Sequence, residues 1–269
     1  MVNQKATAFR SLHDDGLLVL PNAWDAASAA LVERAGAKAI ATTSAGVAWS
    51  LGRRDGQGLS RAEAVGAVAR IAAAVGVPVT ADVEGGYDDL AATVSEVIDA
   101  GAVGVNVEDS KDDGTLFGIS EQGERLAGVR AAAASAGLPE LLVNARIDVY
   151  LLGIGAPGGR LDEVLARAAA YADAGADCLY VIGLSDLDAI SHIAEASALP
   201  LNVLAFPGAP TAAEFEAAGV RRLSVGPLVA QAAYAVAERA AAELLATGTC
   251  EELEGGVDYG TLNALFRRR

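Results

Sequence analysis

The chain is predicted to fold as one (β/α)8 barrel, a TIM barrel, on three observations. First, one plan repeats: "ERAGAKAIATTSAG", "DAGAVGVNVEDS", "DAGADCLYVIGLS" and "EAAGVRRLSVGP" each run from a helix end through an Ala-Gly turn into an apolar strand. Second, the strands are continuous Val/Ile/Leu runs rather than alternating ones, as expected where helices cover both faces of a parallel sheet. Third, eight such strands recur at even spacing with Ala-rich helical segments between them, which suits closure into a ring. An open doubly wound sheet is the nearest competitor, but no GxGxxG follows the first strand.

In order, the strands are expected near 17–20 in "GLLVLPNAW", 39–44, 78–82 in "GVPVTADVEGG", 103–108, 141–146 in "PELLVNARIDVY", 178–182, 201–205 in "LPLNVLAFPG" and 222–225. A helix follows at 227–247. No linker, low-complexity tract or charge block divides the chain, so residues 1–269 read as one domain. Residues 249–269, ending "CEELEGGVDYGTLNALFRRR", fall outside the repeat and are expected to be an arm contacting a neighbouring subunit in a homo-oligomer, a dimer or tetramer.

Composition limits the partners. The formal charge of -15 argues against nucleic acid or an anionic membrane, since both require a cationic footprint. The two cysteines, Cys178 and Cys250, have no CxxC spacing, and with two histidines they suggest neither a zinc site nor a disulfide framework. The N-terminus lacks an apolar signal region, and no stretch is long and apolar enough to span a membrane, so a soluble cytoplasmic protein is expected.

Barrel enzymes place their chemistry where the strands end. Those positions hold Asn22, Trp24 and Asp25; Ser44, Ala45 and Gly46; Asp82 and Glu84; Glu108 and Asp109; then Arg146 and Asp148. Later strands supply Ile182 and Gly183, Asn202 with Pro207 and Gly208, and Gly226. Asp82 and Glu84, in "TADVEGGYDD", are two residues apart, and an extended backbone aims such a pair at one face. Asp82, Glu84 and Glu108 on adjacent strands repel one another unless protonated or bound to a cation, and all-oxygen ligation suits Mg²⁺ or Mn²⁺. Asp25 and Asp109 read equally well as caps of the next helix, and Arg146 also reads as a structural ion-pair partner. His13, His192 and Cys178 read as structural.

"PNAWDAASAALVERAGAKAIATTSAGVA", "GRRDG", "VPVTADVEGGY", "AGAVGVNVEDS" and "VNARIDVY", in this order and spacing, resemble the isocitrate lyase and phosphoenolpyruvate mutase superfamily. The resemblance implies a (β/α)8 barrel that binds Mg²⁺ and a small α-keto carboxylate and makes or breaks a C–C or P–C bond beside an enolate. It makes Asp82 and Glu84 the metal pair, with Glu84 where the family more often has Asp. Asp55 of "GRRDG" and Glu108 complete the acidic shell. Ser44, Ala45 and Gly46 become carboxylate binders, with Trp24, Asp82 and Asn202 as further substrate contacts. Arg146 faces the enolate oxygen, and Asp55, Glu108 and Lys111 join it as catalytic candidates.

The chain also departs from the family. The segment after the fourth strand, "SKDDGTLFGISEQGE", has neither the cysteine nor the histidine of the lyase branch, and is expected to act as a lid over 110–124. The phosphonate branch's Asn is missing beside Lys111, and Ile182-Gly183 replaces its histidine. The favoured reading is a Mg²⁺-dependent C–C lyase or decarboxylase. Alternatives are a phosphonomutase or P–C hydrolase, a phosphosugar barrel using "AFPGAP" and "SVGP", and a non-catalytic keto-acid binder.

Overall fold

The computed structural model describes residues 2–14 and 16–266. Its first half comprises α1 (Val2–Ser11), β1 (Leu18–Leu20), β2 (Asn22–Ala23), α2 (Ala26–Arg34), β3 (Ile40–Thr42), α3 (Ser44–Ser50), α4 (Arg61–Ala74), β4 (Val79–Asp82), α5 (Leu90–Asp99) and β5 (Gly104–Glu108). The second comprises α6 (Ile119–Ser135), β6 (Leu142–Ile147), α7 (Arg160–Asp173), β7 (Cys178–Val181), α8 (Leu187–Ala196), β8 (Leu201–Leu204), α9 (Ala212–Ala217), β9 (Val220–Ser224), α10 (Leu228–Thr247) and α11 (Tyr259–Leu265). The strands pair in the order β1-β9-β8-β7-β6-β5-β4-β3-β2, a (β/α)8 barrel.

Nine segments make eight strands because Pro21 interrupts the first. Proline has no N–H to give to a ladder, so the strand breaks there. Its first half pairs with β9, Leu18 opposite Arg222, and its second with β3, Asn22 opposite Ala41. The break is therefore also the seam that closes the ring. Asn22 holds the seam together: its Oδ1 accepts from the Val225 and Gly226 N–H groups at 3.0 and 2.8 Å, and its Nδ2 donates to the Thr42 carbonyl at 2.8 Å.

The helices begin where the sequence supplies caps. Asp25 caps α2 by accepting from Ser28 N–H at 2.7 Å, and Ser60 with Glu63 forms a capping box on α4. Fully buried Val105, Val107, Val143 and Ala145 on the central strands pack with Val94, Leu126, Val129 and Val164 of the surrounding helices. At the opposite end from the strand termini, Phe9 of α1 plugs the barrel, and a Cβ added at Gly104 would lie 2.8 Å from its ring. His13 packs edge-on against Phe9, so it is structural, and buried Cys178 belongs to the core. Among the described residues no helix is long and apolar enough to cross a membrane. In the C-terminal segment α11 packs on α2 of its own chain, and residues 267–269 of the expected arm lie outside the described residues.

Candidate active site

At the C-terminal ends of β3 to β6, a cavity of about 230 Å³ is lined by Ser44, Arg54, Asp55, Gly56, Glu84, Glu108, Ser110, Lys111, Asp112, Gly114, Arg146, Asp148, Leu151 and Leu152. Larger grooves, about 850 Å³ between α10 and residues 251–256 and about 640 Å³ beside Arg61, lie off the strand ends. The charged groups converge in the smaller cavity.

Asp82 and Glu84 reach this region by different routes. The strand ends at Asp82, whose Oδ2 accepts from Ser44 N–H at 3.1 Å and whose N–H donates to Thr42 Oγ1 at 2.8 Å. Glu84 then sits at φ +51 in a left-handed turn, where a residue with a side chain is strained. The same-face rule for strands therefore does not explain the pair; the turn does. Gly86, at φ +97, lets the chain pass Leu90, which an added Cβ would approach to 2.6 Å. The Glu84 carboxylate accepts from Gln57 N–H, while its Oε1 is buried without a hydrogen-bond partner. Burial, with Asp82 and Asp55 adding to it, pushes its pKa up to about 7 against the opposing Gln57 bond.

Across the cavity Arg146 is held on two sides. Its Nη1 lies 2.8 Å from Glu108 Oε2, and its Nε and Nη2 donate to the two Asp148 oxygens at 2.6 and 3.0 Å. Burial alone works against its charge, but Asp148, Glu108 and Asp82 more than offset it and keep the guanidinium ionised. Burial pushes Glu108 up to about 8 although Arg146 opposes the shift. Arg146 is thus both an ion-pair partner and a cavity-lining cation. The sequence placed Asp148 at the mouth but gave it no role, despite the signal the Asp82 and Glu84 pair carries, an acid two residues along.

Asp109 is no cap. It is fully buried, its Oδ1 accepting from Asp148 N–H at 2.9 Å and its Oδ2 from Arg167 and the Tyr171 hydroxyl at 3.0 and 2.8 Å. It anchors the strand ends beneath Asp148. The segment after β5 is a small hairpin: Ser110 bridges Leu116, and Lys111 N–H donates to the Thr115 carbonyl at 2.7 Å. Because α6 starts at Ile119, only 110–118 of the expected lid is outside a helix. Lys111 lines the cavity with its Nζ 3.6 Å from Glu121 and 4.7 Å from the Phe117 ring centre. Gln57 donates to Asp112 of the hairpin.

Five expected substrate contacts are placed otherwise. Ser44 opens α3 rather than ending a strand, and its N–H is taken by Asp82. Trp24 packs behind α3, and a Cβ added at Gly46 would lie 2.8 Å from the Trp24 Cβ, so Gly46 makes room for the indole. Asn202 is buried in β8 with its Nδ2 3.3 Å from Ser224 Oγ, and neither Trp24 nor Asn202 lines the cavity. Ala45 is buried within α3.

Among the described residues no three His, Cys, Asp or Glu side chains form a ready-made metal cage. The donor set nonetheless fits a hard cation. It is all oxygen, Glu84 Oε1 lacks a partner, and Asp55 adds a carboxylate at the rim. Magnesium takes few protein oxygens directly and keeps water or substrate oxygens in its other positions.

Residues 9–245 match the phosphoenolpyruvate phosphomutase family. An uncharacterized protein of Mycobacterium tuberculosis is 34% identical over 259 residues, 96% of this chain and 95% of its own. The 2,3-dimethylmalate lyase of Eubacterium barkeri is 31% identical over 189 residues, 67% of this chain and 63% of its own. The oxaloacetate decarboxylase of Rhodopseudomonas palustris is 31% identical over 169 residues, 60% of this chain and 56% of its own. A crystal structure from Burkholderia cenocepacia, assigned provisionally as a lyase/mutase, superposes with a TM-score of 0.90 at 37% identity, covering 98% of this chain and 97% of that one.

Proposed function

The chain belongs to the phosphoenolpyruvate phosphomutase family, within the isocitrate lyase and phosphoenolpyruvate mutase superfamily, and from that premise we propose a Mg²⁺-dependent lyase of small α-keto acids that works through an enolate, with decarboxylation of a β-keto acid such as oxaloacetate as its reaction. The observation that carries the reading is Arg146, fixed by Glu108 and Asp148 in a cavity otherwise rich in carboxylates. An acidic cavity admits a keto dicarboxylate only with added positive charge.

Asp82, Glu84, Asp55 and Glu108 would hold Mg²⁺ or Mn²⁺, partly through water. The bound ion supplies Lewis-acid stabilisation of negative charge on the keto oxygen. The chain's own residues do the rest. Glu108 and Asp148 fix the guanidinium before substrate arrives, so Arg146 stabilises the developing enolate oxygen without reorganising. Lys111 and Arg54 offer charge to a substrate carboxylate, and Ser44 lines the cavity beside them. In decarboxylation the C3–C4 bond breaks, its electrons pass into the enolate, CO₂ leaves, and C3 later takes a proton. Bond cleavage needs no protein acid. That suits a hairpin with neither cysteine nor histidine.

P–C bond chemistry is the second reading, favoured by Lys111 at the cavity wall. A phosphosugar site gains no support, because Pro207, Gly208 and Gly226 do not line the cavity. The proposal places the enzyme in the cytoplasm, in keeping with two free thiols, and makes it a homo-oligomer. Side-by-side kcat/KM for oxaloacetate, 2-methylisocitrate and phosphonopyruvate, corrected for spontaneous metal-promoted decarboxylation, tests it. Oxaloacetate should lead with either metal; a clear preference for another substrate replaces the proposed reaction.

A further inference from the structure

The cavity has one apolar wall. Of the residues lining it only Leu151 and Leu152 are large and apolar, and they stand 48% and 38% exposed among titratable and polar neighbours. Exposed leucines scattered singly mean little, but two adjoining ones facing a charged cavity supply the apolar share that small-molecule sites combine with a few polar groups.

The turn that carries them is fixed. Leu152 N–H donates to the Asp148 carbonyl at 2.9 Å, Gly153 N–H to Tyr150 at 3.2 Å and Ile154 N–H to Val149 at 3.0 Å. Arg160 ties down the far side, with its Nη2 2.9 Å from the Gly153 carbonyl and its Nε 3.2 Å from that of Ile154. The turn starts directly after Asp148, which orients Arg146, so the leucines keep a constant offset from the guanidinium. Their neighbour in the ring reinforces the apolar character. Gly183, just past β7, has φ +84, and a Cβ there would lie 2.8 Å from Leu151 N and 2.9 Å from its Cα. No side chain fits at that position, so no polar group from it competes with the leucines.

We infer that Leu151 and Leu152 are specificity-determining residues that receive the substituent on carbon 3 of the keto acid, and that the preferred substrate carries a small alkyl group there. The inference rests on the keto-acid reading above and names the substrate class within it. A substrate anchored at Arg146 turns its remaining substituent towards the turn at 149–153. Each methyl group covered there leaves water, worth about a fourfold gain in affinity.

The test is calorimetric titration of the full chain, with Mg²⁺, against pyruvate, 2-oxobutanoate and 3-methyl-2-oxobutanoate, which differ only in methyl groups on carbon 3. Affinity should rise about threefold to fourfold per methyl. In Leu151→Ala and Leu152→Ala the gradient should flatten, most in the double variant; both side chains are partly exposed, so folding is preserved. Equal affinity for the three acids, or a gradient that survives both substitutions, overturns the leucine wall and leaves the keto-acid reading standing. Failure of all three acids to bind overturns both.

Discussion

Glu84 combines a strained backbone with an uncomfortable charge, a pairing that marks functional positions. Its usual pKa of 4.5 rises to about 7, and that of Glu108 from 4.5 to about 8, in both cases chiefly through burial. Between about 4.5 and 8 the folded chain therefore holds more protons than the unfolded one, so the stability owed to these groups is full at low pH and falls as pH rises through 7 and 8. Mg²⁺ requires the carboxylates, so its affinity moves the opposite way. The rise in Tm caused by Mg²⁺ should grow from about pH 6 to about pH 9, and shrink in Glu84→Gln; a pH-independent rise counts against these ligands. Asp82→Ala should abolish metal-dependent turnover while the fold survives, and full retained turnover would remove Asp82 from the site. Asp109 is a different case, because its carboxylate answers a buried Arg167. Asp109→Ala should cost about 3 kcal/mol in denaturant titration and Asp109→Asn distinctly less, since the alanine leaves the guanidinium short of its buried counter-charge.

At the scale of elements, two short stretches control the mouth. The first is the seam at Pro21 and Asn22, where one side chain satisfies groups from β3 and the end of β9. Asn22→Leu leaves two N–H groups and a carbonyl without that partner, so a loss of roughly 2–3 kcal/mol is expected. Asn22→Asp keeps the acceptor and should lose less, a contrast readable from paired urea midpoints. The second is the hairpin 110–118, tied at its base by Phe117 N–H to the Asp109 carbonyl at 2.8 Å and by the Arg125 guanidinium 3.8 Å over the Phe117 ring. Its tip, Asp112 to Gly114, is exposed. We propose that it closes over bound substrate. Limited proteolysis should cut first at the tip, and Mg²⁺ with a keto acid should protect it; identical cutting with and without ligand argues for a static hairpin.

Across the whole molecule, α10 stands out as a long helix largely uncovered by its own chain. Of its twenty residues only Ala230 is buried, Leu245 is 87% exposed, and beyond it Tyr259 is 85% exposed. A helix with so much uncovered apolar surface is expected to meet a partner, and the proposed partner is a second copy of this chain. Light scattering at micromolar concentration should report a dimer or tetramer. Leu245→Glu with Tyr259→Glu should shift it towards monomer without loss of helical signal, whereas a wild-type monomer ends the proposal.

What the sequence determined by itself was the plan. Continuous apolar runs, Ala-Gly turns and strand-end charges are local signals, so all eight strands, the helix at 228–247 and the cavity-lining Glu84, Glu108 and Arg146 were legible before any coordinate, while Asp55 was reached through the family resemblance. The tertiary structure decided where individual side chains point. Trp24 follows the first strand and Asn202 lies within the seventh in sequence, yet they turn behind α3 and into the barrel; Asp109 resembles a cap yet serves Arg167 and Tyr171. The role of Gly183 is invisible without Leu151, thirty-two positions earlier, packed against it. Periodicity fixes which elements form because it depends on neighbours in the chain, whereas side-chain partners depend on contacts between distant segments that exist only once the ring has closed.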